Sequence, residues 1–204
     1  AKRNPPLISE RTPARRVGRA KRNPPLISER TPEKRNLMTI KIAFIGGIKS
    51  GKSQLAEARV QQIAGNQKPY YLATTQCLDA EMQQRIRIHQ QRRGNQFVTI
   101  EEPLNLLEVI QQYEHPILLE CVTMWINNML YHQKREEEIL TDLETILQQP
   151  KSIVFVHNEV GLGIIPDNPL ARQFVDISGK AGQLLGKHCD EVYFCAAGLS
   201  MRMK

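Results

Sequence analysis

Residues 40–64 read IKIAFIGGIKSGKSQLAEARVQQIA, and three kinds of local order follow one another there. Ile40–Ile45 is an apolar run rich in β-branched residues, as a buried strand requires. Gly46-Gly47-Ile48-Lys49-Ser50-Gly51-Lys52-Ser53 then fits the pattern G-x-x-x-x-G-K-[ST]. Gly46, Gly47 and Gly51 let the backbone turn its N–H groups inward, where side chains would obstruct a phosphate. The helix-compatible SQLAEARVQQIA that follows adds the partial positive charge of a helix N-terminus. Lys52 is then placed to bridge β- and γ-phosphate oxygens, and the Ser53 hydroxyl to hold Mg2+. An ordinary glycine turn with a solvated lysine explains the spacing but not the strand before it and the helix after it. The stretch predicts a P-loop, a triphosphate site.

Beyond the cradle, short apolar runs alternate with helical segments. Strands are predicted at Ile40–Ile45, Tyr70–Ala73, Ile117–Leu119, Ile153–Val156 and Val192–Cys195, with a weaker edge strand in Leu199–Lys204. Helices are predicted near 52–64, 79–92, 103–113, 122–148 and 168–187. Buried strands separated by amphipathic helices make an α/β fold: a mostly parallel sheet with helices on both faces.

A phosphate cradle needs an acid at the end of a neighbouring strand to hold the metal. Pro116-Ile117-Leu118-Leu119-Glu120 is an apolar run ending in a carboxylate, and a carboxylate beside apolar strands calls for a cationic partner. The alternative is a strand-end carboxylate facing solvent. The segment LDAEMQQRIRIHQQRR, residues 78–93, is the second informative region. On a helix Met82, Arg85, Ile86 and His89 share one face, and Arg85 lies four residues before His89. Positive neighbours favour neutral imidazole, the nucleophilic form, and can bind a triphosphate. By itself this spacing does not make His89 catalytic, since a histidine on a charged helix is usually a surface residue.

The formal charge of +7 is unevenly spread. Residues 1–37 carry 11 Lys and Arg against 3 Asp and Glu, whereas residues 38–204 carry 17 against 18. The basic character belongs to the N-terminal arm, so nucleic acid is not an expected partner of the rest. That arm repeats AKRNPPLISERTP at 1–13 and 20–32. With Pro-Pro pairs and few large apolar residues it is predicted to be a disordered extension, residues 1–37, before a folded domain at 38–204. The four cysteines, Cys77, Cys121, Cys189 and Cys195, form no CxxC pair, which argues against zinc and a disulfide framework and for a reducing cytoplasm. No apolar run reaches the roughly 18 residues of a membrane span.

Five blocks now come together: GGIKSGKS, YLATTQ, LDAEMQQRIRIHQQRR, ILLECVTMWINN and NEVGLGIIPDNPLARQF. In this order, over about Lys41 to Lys204, they resemble the bifunctional adenosylcobinamide kinase / adenosylcobinamide-phosphate guanylyltransferase family of cobalamin assembly. The resemblance implies a RecA-like P-loop fold, a homotrimer, and two reactions. The first phosphorylates the aminopropanol hydroxyl of adenosylcobinamide with ATP or GTP. The second transfers GMP from GTP to that phosphate through a guanylylated histidine, implied to be His89, beside catalytic Lys52. It further implies nucleotide contacts at Gly46, Gly47, Ile48, Lys49, Ser50, Gly51, Lys52, Ser53, Thr74, Thr75, Gln90, Gln91, Arg92, Arg93, Glu101 and Glu120. Ser53 and Glu120 are the implied Mg2+ ligands. Asn158, Glu159 and Arg172, in a Gly/Pro-rich loop, are candidate corrinoid or subunit-interface groups. Against the family pattern, Phe97 stands where tryptophan is usual, Gly182 where asparagine is, and His157 where a small hydroxyl residue is.

Two other functions fit parts of the sequence. A plain small-molecule kinase would use the cradle and leave His89 a bystander. A nucleotide-dependent switch or RNA-associated protein would use the basic arm, but the chain has no NKxD-type base-reading motif.

Overall fold

The computed structural model describes residues 39–76 and 94–204. Their elements run β1 (Lys41–Gly46), α1 (Lys52–Ala64), β2 (Tyr70–Ala73), β3 (Val98–Glu101), α2 (Leu106–Gln112) and β4 (Ile117–Glu120). They continue with α3 (Val122–Tyr131), α4 (Glu136–Gln148), β5 (Ile153–Asn158), α5 (Pro169–His188), β6 (Glu191–Ala196) and β7 (Leu199–Arg202). The helix predicted at 79–92 lies outside the described residues. The strands form one sheet in the order β3-β2-β4-β5-β1-β6-β7. Neighbours pair in parallel except β6 and β7, which are antiparallel. The turn between those two uses Ala197 and Gly198 at φ 52° and 79°, the left-handed pair that a tight hairpin favours.

Alternation along the strands divides the core in two. Ala43, Leu72, Ile117, Leu119, Ile153 and Phe155 face α2, α3, α4 and α5, whose Leu106, Trp125, Leu143 and Ile177 are fully buried against them. Ile42, Phe44, Tyr71, Leu118, Val154 and Val156 face the other way, onto Ala56 and Val60 of α1. Both faces are covered, so the central strands are apolar throughout rather than alternating, and the α/β prediction holds. Phe97 caps the second core, its ring edge-on to Tyr71 with centroids 5.8 Å apart.

Two predicted helices differ from the observed ones, and one observed strand was not predicted. The continuous helix at 122–148 is two helices, α3 and α4, joined by a turn in which Gln133 takes φ 60°. Trp125, Ile126 and Met129 keep helical phase, but the next positions in that phase, His132, Gln133 and Glu136, are polar. Apolar phase resumes at Ile139, Leu143, Ile146 and Leu147, and breaking the helix lets both stripes enter one core. Glu136–Glu138 in the first turn of α4 favour a new N-terminus, and Glu138 Oε2 accepts the Arg135 N–H at 3.0 Å. The helix predicted at 103–113 starts only at Leu106, because Glu102 Oε1 accepts the N–H groups of Leu104 and Asn105, each at 2.8 Å, in a turn. Finally, Val98–Glu101, outside every strand and helix predicted from the sequence, is a strand at the sheet edge.

Candidate functional site

All parallel strands point their C-terminal ends to one rim, and the cradle sits there between β1 and α1. Crowding sets its glycines apart. A Cβ on Gly46 would lie 2.3 Å from the Cys195 carbonyl oxygen, and one on Gly51 2.9 Å from Gly198 Cα, with Gly51 at φ 94°. At Gly47 a Cβ would meet nothing within 4 Å, so that glycine leaves open space over the loop. The β6–β7 turn closes on the cradle from behind, with the Gly198 N–H bonded to Ser50 O at 2.9 Å. No side chain caps the N-terminus of α1, so its first-turn N–H groups remain available to an anion.

Lys52 is 6% exposed and donates one hydrogen bond, from Nζ to the Gly47 carbonyl at 2.9 Å. An ammonium has three donors, so a buried lysine in this position has capacity for phosphate oxygens. Ser53 Oγ donates to Glu120 Oε1 at 2.7 Å, joining the first turn of α1 to the end of β4. Glu120 therefore faces the cradle rather than bulk solvent. Ser53 and Glu120 bring two hard oxygen donors together beside the place where phosphates would lie, a donor set that suits Mg2+ completed by substrate oxygens and water. Among the described residues no three His, Cys, Asp or Glu cluster as a metal site.

Of the other candidate nucleotide contacts, Ile48 is exposed and Thr75 half-buried on the same rim. Thr74 is fully buried, and its hydroxyl is taken up by the backbone of Glu120 and Cys121. Thr74 therefore presents no exposed surface to the rim in this arrangement. Glu101 is exposed at the end of β3, four strand spacings from β1, roughly 19 Å. It cannot meet the same phosphate as Lys52. His89, Gln90, Gln91, Arg92 and Arg93 lie outside the described residues.

The loop after β5 starts beside the cradle, where Glu159 N–H bonds to Gly46 O at 3.0 Å. Asn158 N–H donates to Thr123 Oγ1 at 2.8 Å, a contact that nothing in the sequence flagged. Arg172 Nη1 donates to the carbonyls of Pro166 and Asp167 at 2.9 and 2.8 Å, so its guanidinium braces its own loop. Beneath the rim, His157 is 2% exposed, with Nε2 3.4 Å from Ser178 Oγ. A Cβ on Gly182 would stand 3.7 Å from that same nitrogen, so two of the three departures from the family pattern face each other, an imidazole over a glycine. Burial lowers the His157 pKa to about 4, aided by the Lys52 charge, and keeps the ring neutral. Burial likewise raises the Cys121 thiol, reinforced by neighbouring Glu120, and pushes Cys189 up to about 12, so neither is a ready nucleophile.

Comparison with known proteins places this geometry in a family. Residues 42–203 match the family model described as CobU, cobinamide kinase / cobinamide phosphate guanyltransferase. The bifunctional adenosylcobalamin biosynthesis protein CobU of Escherichia coli is 35% identical over 182 residues, 80% of this chain and 99% of that protein. CobP of Pseudomonas aeruginosa, described in the same terms, is 36% identical over 166 residues, 78% of this chain and 95% of its own length. CobU of Salmonella typhimurium is 35% identical with the same coverage as the first. A KaiC-like protein of Pyrococcus horikoshii superposes with a TM-score of 0.43 at 10% identity, over 76% of this chain and 70% of its own, too distant to add to the sequence relationship. With a family match over residues 42–203 and relatives at this identity, the chain belongs to the cobinamide kinase / cobinamide phosphate guanyltransferase family.

Proposed function

We propose that this protein phosphorylates adenosylcobinamide with ATP or GTP and then converts the product to adenosylcobinamide-GDP with GTP. The observation that carries the reading is the Ser53–Glu120 pair at 2.7 Å beside buried Lys52, in a chain of this family. In the first step the aminopropanol hydroxyl oxygen attacks the γ-phosphorus, the bond to the β–γ bridging oxygen breaks, and the nucleoside diphosphate leaves. Such a transfer asks for positioning and charge neutralisation, which Lys52 and the uncapped N–H groups of α1 supply. Ser53 and Glu120 are the residues that would hold Mg2+. Bound there, it neutralises phosphate charge and fixes the triphosphate's orientation.

The second step uses a covalent intermediate. A ring nitrogen of His89 attacks the α-phosphorus of GTP, the bond to the α–β bridging oxygen breaks, and pyrophosphate leaves. A phosphate oxygen of adenosylcobinamide phosphate then attacks the guanylyl phosphorus and frees His89. Arg92 and Arg93 are assigned to the charge that develops at this phosphate. A homotrimer, implied by the family resemblance, and a cytoplasmic location, for which the unclustered cysteines argue, belong to the same reading; sedimentation of the purified protein tests the first. Among the described residues no helix is long and apolar enough to cross a membrane.

The test is to incubate the protein with Mg2+ and GTP labelled at the α-phosphate. Acid-labile, base-stable label should appear on the wild type and vanish in His89→Ala, with kinase activity kept within about threefold because Lys52 chemistry is separate. Absence of label on the wild type, or label persisting on the variant, sinks the guanylyl-histidine.

A further inference from the structure

We propose that Thr74 is a positioning residue for phosphoryl transfer, its buried hydroxyl fixing the turn that aims Glu120 at Ser53. The inference rests on the kinase reading above. Thr74 follows β2, the neighbour of β4 in the sheet, and has no exposed surface. Its Oγ1 accepts the Cys121 N–H at 2.9 Å and lies 3.0 Å from Cys121 O and 3.2 Å from Glu120 O, either of which takes its proton. Its backbone N–H donates to Glu120 O at 3.0 Å. One residue thus engages both the residue that carries the carboxylate and the next.

Thr74 is itself held. Its carbonyl accepts Asn128 Nδ2 at 2.7 Å, and the same amide group of Asn128, buried in α3, donates to Pro103 O at 3.1 Å. The ends of β2 and β4, the loop after β3, and α3 are therefore joined by one buried polar chain. Removing the Thr74 hydroxyl leaves the Cys121 N–H without its acceptor in a buried setting. The turn would then shift to satisfy it, and Glu120 would lose its fixed aim. Outer partners of metal-site ligands act in this way, typically altering affinity or activity 10–100-fold.

The test compares full-length wild type with Thr74→Val, Thr74→Ser and Thr74→Cys. Mn2+ binding in the presence of a non-hydrolysable GTP analogue is read by electron paramagnetic resonance, alongside kcat and KM of the kinase step. Thr74→Val should lose about tenfold or more in both Mn2+ affinity and kcat, with KM for GTP within about twofold. Thr74→Ser, which keeps the hydroxyl, should recover both to within about threefold of wild type. Unchanged Mn2+ affinity in the valine variant, a loss confined to KM, or a serine variant no better than valine overturns the proposal. If the valine variant does not fold, Thr74→Cys carries the same expectation with a smaller loss, and wild-type behaviour there overturns it. A wild type with no kinase activity would refute the proposed function instead, while active wild type with an unaffected Thr74→Val refutes this inference alone.

Discussion

At the scale of single residues, burial decides chemistry that residue type leaves open. His157 sits inside the fold with its Nδ1 lacking a hydrogen-bond partner, and its pKa falls from the ordinary 6.5 to about 4. An unfolded chain takes up a proton below pH 6.5 that the folded chain refuses until about pH 4. Stability from this group is thus intact above pH 6.5 and is lost as pH falls from there toward 4. The window is worth about 3 kcal/mol. Urea unfolding of wild type and His157→Gln at pH 7.5 and 4.5 checks this: the acid-induced loss should be smaller in the variant by about that amount, and equal losses would remove His157 as its source. The cradle glycines make a parallel case. Sequence gives Gly46 and Gly47 the same reason to be there, yet Gly46 is required by the Cys195 carbonyl pressed against it and Gly47 by no neighbour of its own.

Elements show how far local pattern carries. β1, α1, β4 and β5 were legible because each is a contiguous run of uniform pattern. The α3–α4 break was present in the sequence as an eight-residue stretch, Tyr131–Glu138, with basic residues followed by three glutamates. A helical period extended across that stretch hides it. β3 was not legible, since an edge strand of four mostly exposed residues has no buried face to impose alternation. Helix α5 carries Gly179, Gly182 and Gly186, of which Gly182 lies under His157. A methyl group at 182 would meet the imidazole at 3.7 Å, an ordinary contact, while helix propensity gains about 0.5–1 kcal/mol. Gly182→Ala should therefore raise the urea midpoint, whereas Gly182→Leu should lower it by pressing on the ring. A lower midpoint for the alanine variant would mean that the space over Gly182 is needed by His157.

For the whole molecule, the charge count separates an arm of +8 from a remainder near neutrality, and the family match begins at residue 42. Deleting residues 1–37 should leave kinase and guanylyl-transfer rates within about twofold and the melting temperature unchanged, since the family's chemistry lies in the remainder. Activity lost with the arm, measured on the purified truncation, would assign it a part in the reaction. The sequence by itself determined the cradle, the parallel α/β class and the family, because each is written in contiguous residues whose spacing governs their local conformation. Tertiary structure alone decided that Ser53 meets Glu120 across 67 residues of chain, that Glu101 stands four strands from the cradle, and that Thr74 turns inward to hold a backbone. Those outcomes depend on strand order and on which polar groups must find partners once the sheet is buried on both faces, and no local spacing contains either.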